Sequence, residues 1–208
     1  MSTSLTIVGR SSSSFTRVAR IFANELALPC ALEVVRDLGS LEARDYGGNP
    51  ALKVPSLRTP QATWFGALNV CRMLARASER RLAIVWPEAL ADPLLANMQE
   101  LVLQGMSTEV GLIMIGPSGA ATDTVHRTKL TKSLENVVAW LEEHVQSALA
   151  ALPPERDLSY LEVTLFCLVS HLEFRKIMIL PSNAELVGFC RDFGARKACL
   201  ETDYRFDP

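Results

Sequence analysis

Asn49-Pro50-Ala51-Leu52-Lys53-Val54-Pro55-Ser56-Leu57 decides the fold, because it sets a proline inside a stretch that otherwise reads as a β-strand. A proline has no N–H to give to a ladder, so Pro55 must stand at a sheet edge or at a specialised position. Upstream, Leu5-Thr6-Ile7-Val8 is a short β-prone run closed by Gly9. Four serines, Ser11 to Ser14, follow. Apolar residues then stand at Phe15, Val18, Phe22 and Leu26, and their spacings of 3, 4 and 4 mark one face of a helix. Leu28-Pro29 ends that helix, and residues 32–38 (LEVVRDL) read as a second strand. Gly47-Gly48-Asn49-Pro50 is a loop that leads into a third strand over 52–57, interrupted by Pro55. Downstream, 62–65 (ATWF) forms a fourth short strand and 68–76 a helix. The order β-α-β, loop, β-β-α within residues 1–76 predicts a compact α/β unit.

From about residue 90 the pattern is helical only. The spans 93–115, 124–152, 158–175 and 184–193 each carry an apolar face of 3.6-residue period. Gly116-Pro117-Ser118-Gly119, Pro153-Pro154 and Pro181-Ser182-Asn183 separate them. Ser159-Tyr160-Leu161-Glu162 predicts a capping box, with the Ser159 hydroxyl on the third-residue amide and Glu162 reaching back to the cap. Residues 77–89, opening with Ala77-Ser78-Glu79-Arg80-Arg81, read as a solvated linker. The expected plan is therefore an α/β domain over 1–76, a linker over 77–89 and an all-helical domain over 90–208.

Composition narrows the function classes. With 208 residues, 49% of them hydrophobic and 21% charged, the chain buries a real core and is not disordered as a whole. A net charge of -2 and a pI near 6.0 supply no basic field for a phosphate backbone, so nucleic acid is not an expected partner. The longest apolar runs, such as 163–169, fall well short of the roughly 20 residues of a membrane span, and the first residues lack the basic and apolar regions of a signal peptide. The expectation is a cytoplasmic protein that does not engage a membrane. Five cysteines, at 30, 71, 167, 190 and 199, show no C-x-x-C, and His126, His144 and His171 are scattered, so neither a disulfide framework nor a metal centre is expected. G-x-S-x-G, P-loop, H-E-x-x-H and G-x-G-x-x-G motifs are absent.

Three segments carry a family resemblance. Ser13-Ser14-Phe15-Thr16-Arg17-Val18 through Ala27-Leu28-Pro29 resembles the serine or tyrosine loop and first helix of the soluble glutathione transferases. Asn49 to Leu57 matches that family's N-P-x-x-K-V-P-x-L stretch, and 158–175 resembles its S-x-x-D capping box and following helix, with Glu162 in place of Asp. Arg196 stands where the family tends to place an arginine. The resemblance spans nearly the whole chain. It implies the glutathione transferase fold, a thioredoxin-like domain followed by an all-α domain, in a homodimer of the bacterial Ser type. It also implies glutathione as co-substrate, a hydrophobic electrophile as second substrate, and a detoxifying conjugation as the reaction.

The resemblance further implies that Pro55 is a cis-proline, which turns the N–H and C=O of Val54 outward to pair with an extended tripeptide. Lys53, Val54 and Pro55 are thus expected to bind glutathione. Ser13 aligns with the catalytic serine, and Ser11, Ser12 and Ser14 remain alternatives. A hydroxyl donating to a thiolate contributes about 1.5–3 kcal/mol, enough to lower the thiol pKa by about one to two units. The competing reading is an ordinary N-cap serine. The family holds the γ-glutamyl group with a Glu-Ser pair, but Gly66 and Ala67 stand at the aligned positions. There the backbone N–H of Ala67, at a helix N-terminus, is the expected contact for a carboxylate. That departure favours the alternative of a non-catalytic binding protein of the same fold. Met98, Leu101, Met106, Leu112 and Met114 on the first helix of the second half read as core or interface rather than as a substrate pocket.

Overall fold

β1 (Leu5–Gly9) pairs in parallel with β2 (Cys30–Val34), and α1 (Ser14–Glu25) makes the crossover between them. β3 (Ser56–Arg58) pairs antiparallel with β1, and β4 (Thr63–Phe65) antiparallel with β3, so the strand order is β2-β1-β3-β4. α2 (Ala67–Ala77) follows β4 and packs beside α1 against the sheet. These are the elements of a computed structural model that describes residues 5–115 and 124–208.

α1 buries Val18 and Phe22 of the face marked by its apolar spacing, with Leu26 at its end, and adds Ala19 and Ile21, whereas Phe15 is half-buried. Its end is fixed by two hydrogen bonds, Leu28 N–H to Ala23 O at 2.9 Å and Ala27 N–H to Asn24 O at 3.0 Å. This is the Schellman pattern, with Ala27 at φ 53° where glycine is usual.

β1 and β4 lie within one residue of their expected spans, whereas β2 and β3 are displaced by up to four residues. β2 begins at Cys30 rather than 32, because the register pairs Leu5 with Cys30, and the ladder ends where Val35 N–H reaches Gly9 O at 2.9 Å. Beyond it, the Tyr46 hydroxyl binds Leu38 O and Ser40 O, and the chain leaves the sheet. The stretch 52–55 is loop, not strand. Asn49, itself buried, folds it with two side-chain bonds: Nδ2 to Lys53 O at 2.7 Å and Ala51 N–H to Oδ1 at 3.0 Å. Local tethering of this kind outweighs β-propensity.

The chain divides into two compact units, Met1–Leu82 with Gly194–Pro208, and Ala83–Phe193. In the second, α3 (Pro93–Ile115), α4 (Val125–Ala151) and α5 (Tyr160–Phe174) form the core around Met98, Met106, Leu141 and Leu165. Met98 and Met106 are fully buried, as core residues. A Cβ added at Gly105 would come within 3.0 Å of Leu168 and 3.3 Å of Val137, so the glycine lets α3 approach α4 and α5 closely. α6 (Glu185–Gly194) is held at its start by Glu142, whose two oxygens accept from the N–H groups of Glu185 and Leu186 at 2.7 and 3.0 Å. α7 (Lys197–Leu200) packs on α1 in the first unit. The expected breaker at 116–119 lies outside the described residues.

Two local expectations are corrected. The region before α5 holds a two-residue strand, β6 (Leu158–Ser159), paired in parallel with β5 (Ile84–Val85). The capping box at Ser159 does not form. Glu162 instead accepts two parallel bonds from Arg156, Nε at 2.8 Å and Nη2 at 2.7 Å, and the Ser159 hydroxyl makes no bond among the described residues. The arginine fork gives the carboxylate two charge-assisted bonds and an opposite charge, where the cap amide offers a single bond, so Glu162 takes the arginine. The arginines of 77–89 also have defined partners: Arg80 Nη1 donates to Glu25 O at 2.8 Å, and Arg81 Nη1 to Ser78 O at 2.9 Å. Among the described residues, no helix is long and apolar enough to cross a membrane.

Candidate functional site

The strand register brings the candidate residues to one end of the sheet. Val8, near the end of β1, lies opposite Ser56 at the start of β3, and Ser56 lies opposite Phe65 at the end of β4. The connections at that end are the serine loop after β1, the Val54-Pro55 approach to β3, and the Gly66 turn into α2. Three segments separated by about forty and ten residues in the chain therefore become neighbours, and α1 and α2 both begin there.

Ser13 is the N-cap of α1. Its φ and ψ of -102° and 126° are extended, and its Oγ accepts from Thr16 N–H at 3.2 Å. The N-cap role anticipated for this serine is real, and it leaves chemistry to spare. The cap uses a lone pair, whereas the hydroxyl hydrogen has no acceptor among the described residues. An oxygen that accepts from the helix and donates outward is polarised in the sense that favours donation to an anion. Ser11 and Ser14 are buried at 1% exposure each, and their hydroxyls have no partner among the described residues.

The Val54–Pro55 peptide is cis, as the resemblance implies. The Val54 side chain packs against the cluster of Val8, Val35 and Tyr46. Its backbone N–H and C=O have no hydrogen-bond partner among the described residues, whereas Pro55 O accepts from Gly66 N–H at 3.0 Å. Lys53 is exposed, and its carbonyl is occupied by Asn49. Asn49 and Ser56, whose Oγ donates to Tyr46 O at 2.8 Å, set this loop's shape. Neither was singled out as a positioning residue, although Asn49 is part of the motif that drew attention to the stretch.

Gly66 is the N-cap of α2 at φ 81°, a conformation that L-residues rarely adopt, and it gives no side-chain cap. The first turn of α2 thus presents uncapped N–H groups, beginning with buried Ala67. A helix start without a cap is a ready receptor for a carboxylate.

None of the cysteines lies in the serine loop. All five are unpaired by disulfide. Burial pushes the Cys30 thiol up to about 11 and the Cys199 thiol up to about 12. At neutral pH both are thiols, not thiolates, and thiolate is the reactive form. Native protein at pH 7.5 is expected to leave Cys30 and Cys199 unmodified by iodoacetamide over a time in which denatured protein is alkylated at both. Peptide mass mapping checks this, and rapid native labelling at either site would contradict it.

No protein-family model and no curated protein matches the chain. Solved structures do. A glutathione transferase family member from Pseudomonas fluorescens Pf-5 with bound glutathione superposes with a TM-score of 0.78 at 17% identity, covering 97% of this chain and 100% of that one. A glutathione S-transferase from Methylobacillus flagellatus KT with bound glutathione gives 0.75 at 16%, with 97% and 100% covered. Glutathione transferase F7 from Populus trichocarpa gives 0.64 at 16%, with 95% and 97% covered.

Proposed function

We propose that this chain, which has the glutathione transferase fold, binds glutathione at the β1–α1 end of its first unit and conjugates its thiol to a hydrophobic electrophile. The observation that carries the reading is the register, which sets Ser13, Val54 and Ala67 at one end of one sheet. The unpaired N–H and C=O of Val54 suit an extended peptide backbone, as one added strand residue. The uncapped first turn of α2 suits the α-carboxylate of a γ-glutamyl group. Ser13 donates its hydroxyl hydrogen toward the thiol sulfur, and the α1 N-terminus adds its partial positive charge. Together they stabilise the thiolate, the form that attacks an electrophilic carbon and expels its leaving group. Ser13 does not take the thiol proton; it lowers the cost of losing it to water. The working form in this reading is a cytoplasmic homodimer.

A second reading, glutathione-transferase-like binding without catalysis, has one observation in its favour: Gly66 and Ala67 offer no side-chain contact to the γ-glutamyl group. Each charged hydrogen bond forgone is worth about 1.5–3 kcal/mol.

Calorimetric titration with reduced glutathione into the millimolar range tests the reading. A Kd at or below about 1 mM, some 4 kcal/mol of binding, is expected from backbone contacts alone. Absence of heat at several millimolar in wild type, and also in a variant without the Asp207 carboxylate that lies on the Ser11 N–H, would overturn the proposed function.

A further inference from the structure

Segment 203–208, which follows α7, lies against the serine loop within the same unit. The Asp207 carboxylate, whose side chain is 4% exposed, accepts from the Ser11 N–H at 2.8 Å and stands 3.9 Å from Arg10 Nε. Ser11 is two residues before Ser13. Further along α1, Arg17 donates from Nη2 to Asp203 Oδ1 at 2.9 Å and to Cys199 O at 3.2 Å, with its guanidinium 4.2 Å from the centre of the Tyr204 ring. Arg20 Nη1 reaches Thr202 O at 3.4 Å. The segment is therefore strapped along α1 and closes on the loop that opens it. The two clasps differ in strength. Asp203 is 78% exposed, so its pairing with Arg17 is heavily screened, whereas Asp207 is covered.

We propose that this segment is an intramolecular ligand of the serine loop: Asp207 holds the anion position at the Ser11 N–H, and an anionic thiol ligand reaches the start of α1 by displacing it. The inference rests on the glutathione reading above. A carboxylate held beside this loop and a thiolate at Ser13 are like charges on neighbouring residues, and each disfavours the other. The docked strap thereby lowers the apparent affinity by the fraction of molecules in which it is released. The buried Ser11 and Ser14 hydroxyls and Arg10 Nε, none hydrogen-bonded among the described residues, are polar groups that the strap leaves unsatisfied and that an incoming ligand can use. The weak Asp203 clasp makes release feasible without unfolding α7.

The test compares full-length wild type with Asp207→Asn and Asp207→Ala in calorimetric titrations with reduced glutathione, each variant first shown to melt cooperatively. Asp207→Asn keeps the shape and an acceptor oxygen while removing the charge, so it serves if Asp207→Ala disturbs the loop. The expected result is a Kd about tenfold lower in Asp207→Ala, the scale of one charge-assisted hydrogen bond released, and a smaller decrease in Asp207→Asn. Heat in the variants with none in wild type also supports the strap, showing it to close the site fully. Equal or weaker binding in both variants overturns the strap and leaves the glutathione reading standing. No heat in any of the three proteins overturns both. A separate readout needs no ligand: the Ser11 amide should exchange with solvent about tenfold faster in Asp207→Ala than in wild type. Unprotected exchange in wild type overturns the strap whatever glutathione does.

Discussion

Ser13→Gly is expected to lower the rate of glutathione conjugation by tenfold or more while glutathione still binds with nearly unchanged affinity. The size follows from the interaction lost. A hydroxyl donating to a thiolate contributes about 1.5–3 kcal/mol, and this interaction is stronger once the sulfur is charged than while it is a neutral thiol. It therefore appears in the rate and not in the binding of the thiol form. Glycine is the informative replacement because Ser13 also caps α1 through Thr16 N–H. Alanine at an N-cap costs about 1 kcal/mol of stability, glycine only a few tenths, so Ser13→Gly separates thiol activation from helix capping. The measurement is initial rate against pH with 1-chloro-2,4-dinitrobenzene as electrophile, beside calorimetric Kd for glutathione. Loss of thiol activation predicts a rate profile that climbs toward wild type as rising pH ionises the thiol without help. An unchanged rate at pH 7 would remove Ser13 from the chemistry and shift attention to Ser11, Ser12 and Ser14.

His171→Leu is expected to destabilise the protein by about 3–5 kcal/mol, with the loss greatest at alkaline pH. Glu109 on α3 is fully buried, and its Oε1 lies 2.9 Å from Nδ1 of buried His171 on α5. Burial pushes the Glu109 carboxyl up, while contact with His171 and the charge of Arg175 oppose the rise. A carboxyl raised in the folded state binds a proton that the unfolded chain has already released. Stability from this group is thus fully present below the ordinary carboxylate range and is lost as pH rises through the folded-state value. Removing His171 removes an opposing influence and extends that window upward. Thermal melts of His171→Leu at pH 5 and pH 8 should show a deficit against wild type that is smaller at pH 5. Glu109→Gln combined with His171→Leu should recover part of the loss, because the uncompensated charge is gone. An equal deficit at both pH values would show that the cost is packing alone.

Much of the first unit was legible because its signals are local. Apolar spacings of three and four marked α1, and the proline within 49–57 marked the specialised approach to β3, an interior strand. The span expected for α3, 93–115, is also its observed extent, Pro93–Ile115. Errors arose where a local preference competed with something distant or stronger. Residues 32–38 have β-prone composition, but pairing of Leu5 with Cys30 set where β2 begins. Ser159 and Glu162 have capping-box spacing, but a bidentate arginine was near enough to take the carboxylate. In both cases tertiary context overrode a propensity worth less than the contact that replaced it.

The sequence by itself determined a serine N-cap within Ser11 to Ser14, the helix that follows it, the X-Pro step at 54–55 and the lack of a side-chain contact at Gly66 and Ala67. Each depends on residue type and on neighbours within a few positions. Only the tertiary structure decided that these residues share one end of a sheet, since strand register is fixed by side-chain burial and pairing across the fold. It alone placed the Asp207 carboxylate on the Ser11 N–H, 196 residues away in the chain. A short polar segment carries no periodicity that could announce such a contact. A backbone N–H and a carboxylate meet there because packing of α7 on α1 delivers one to the other.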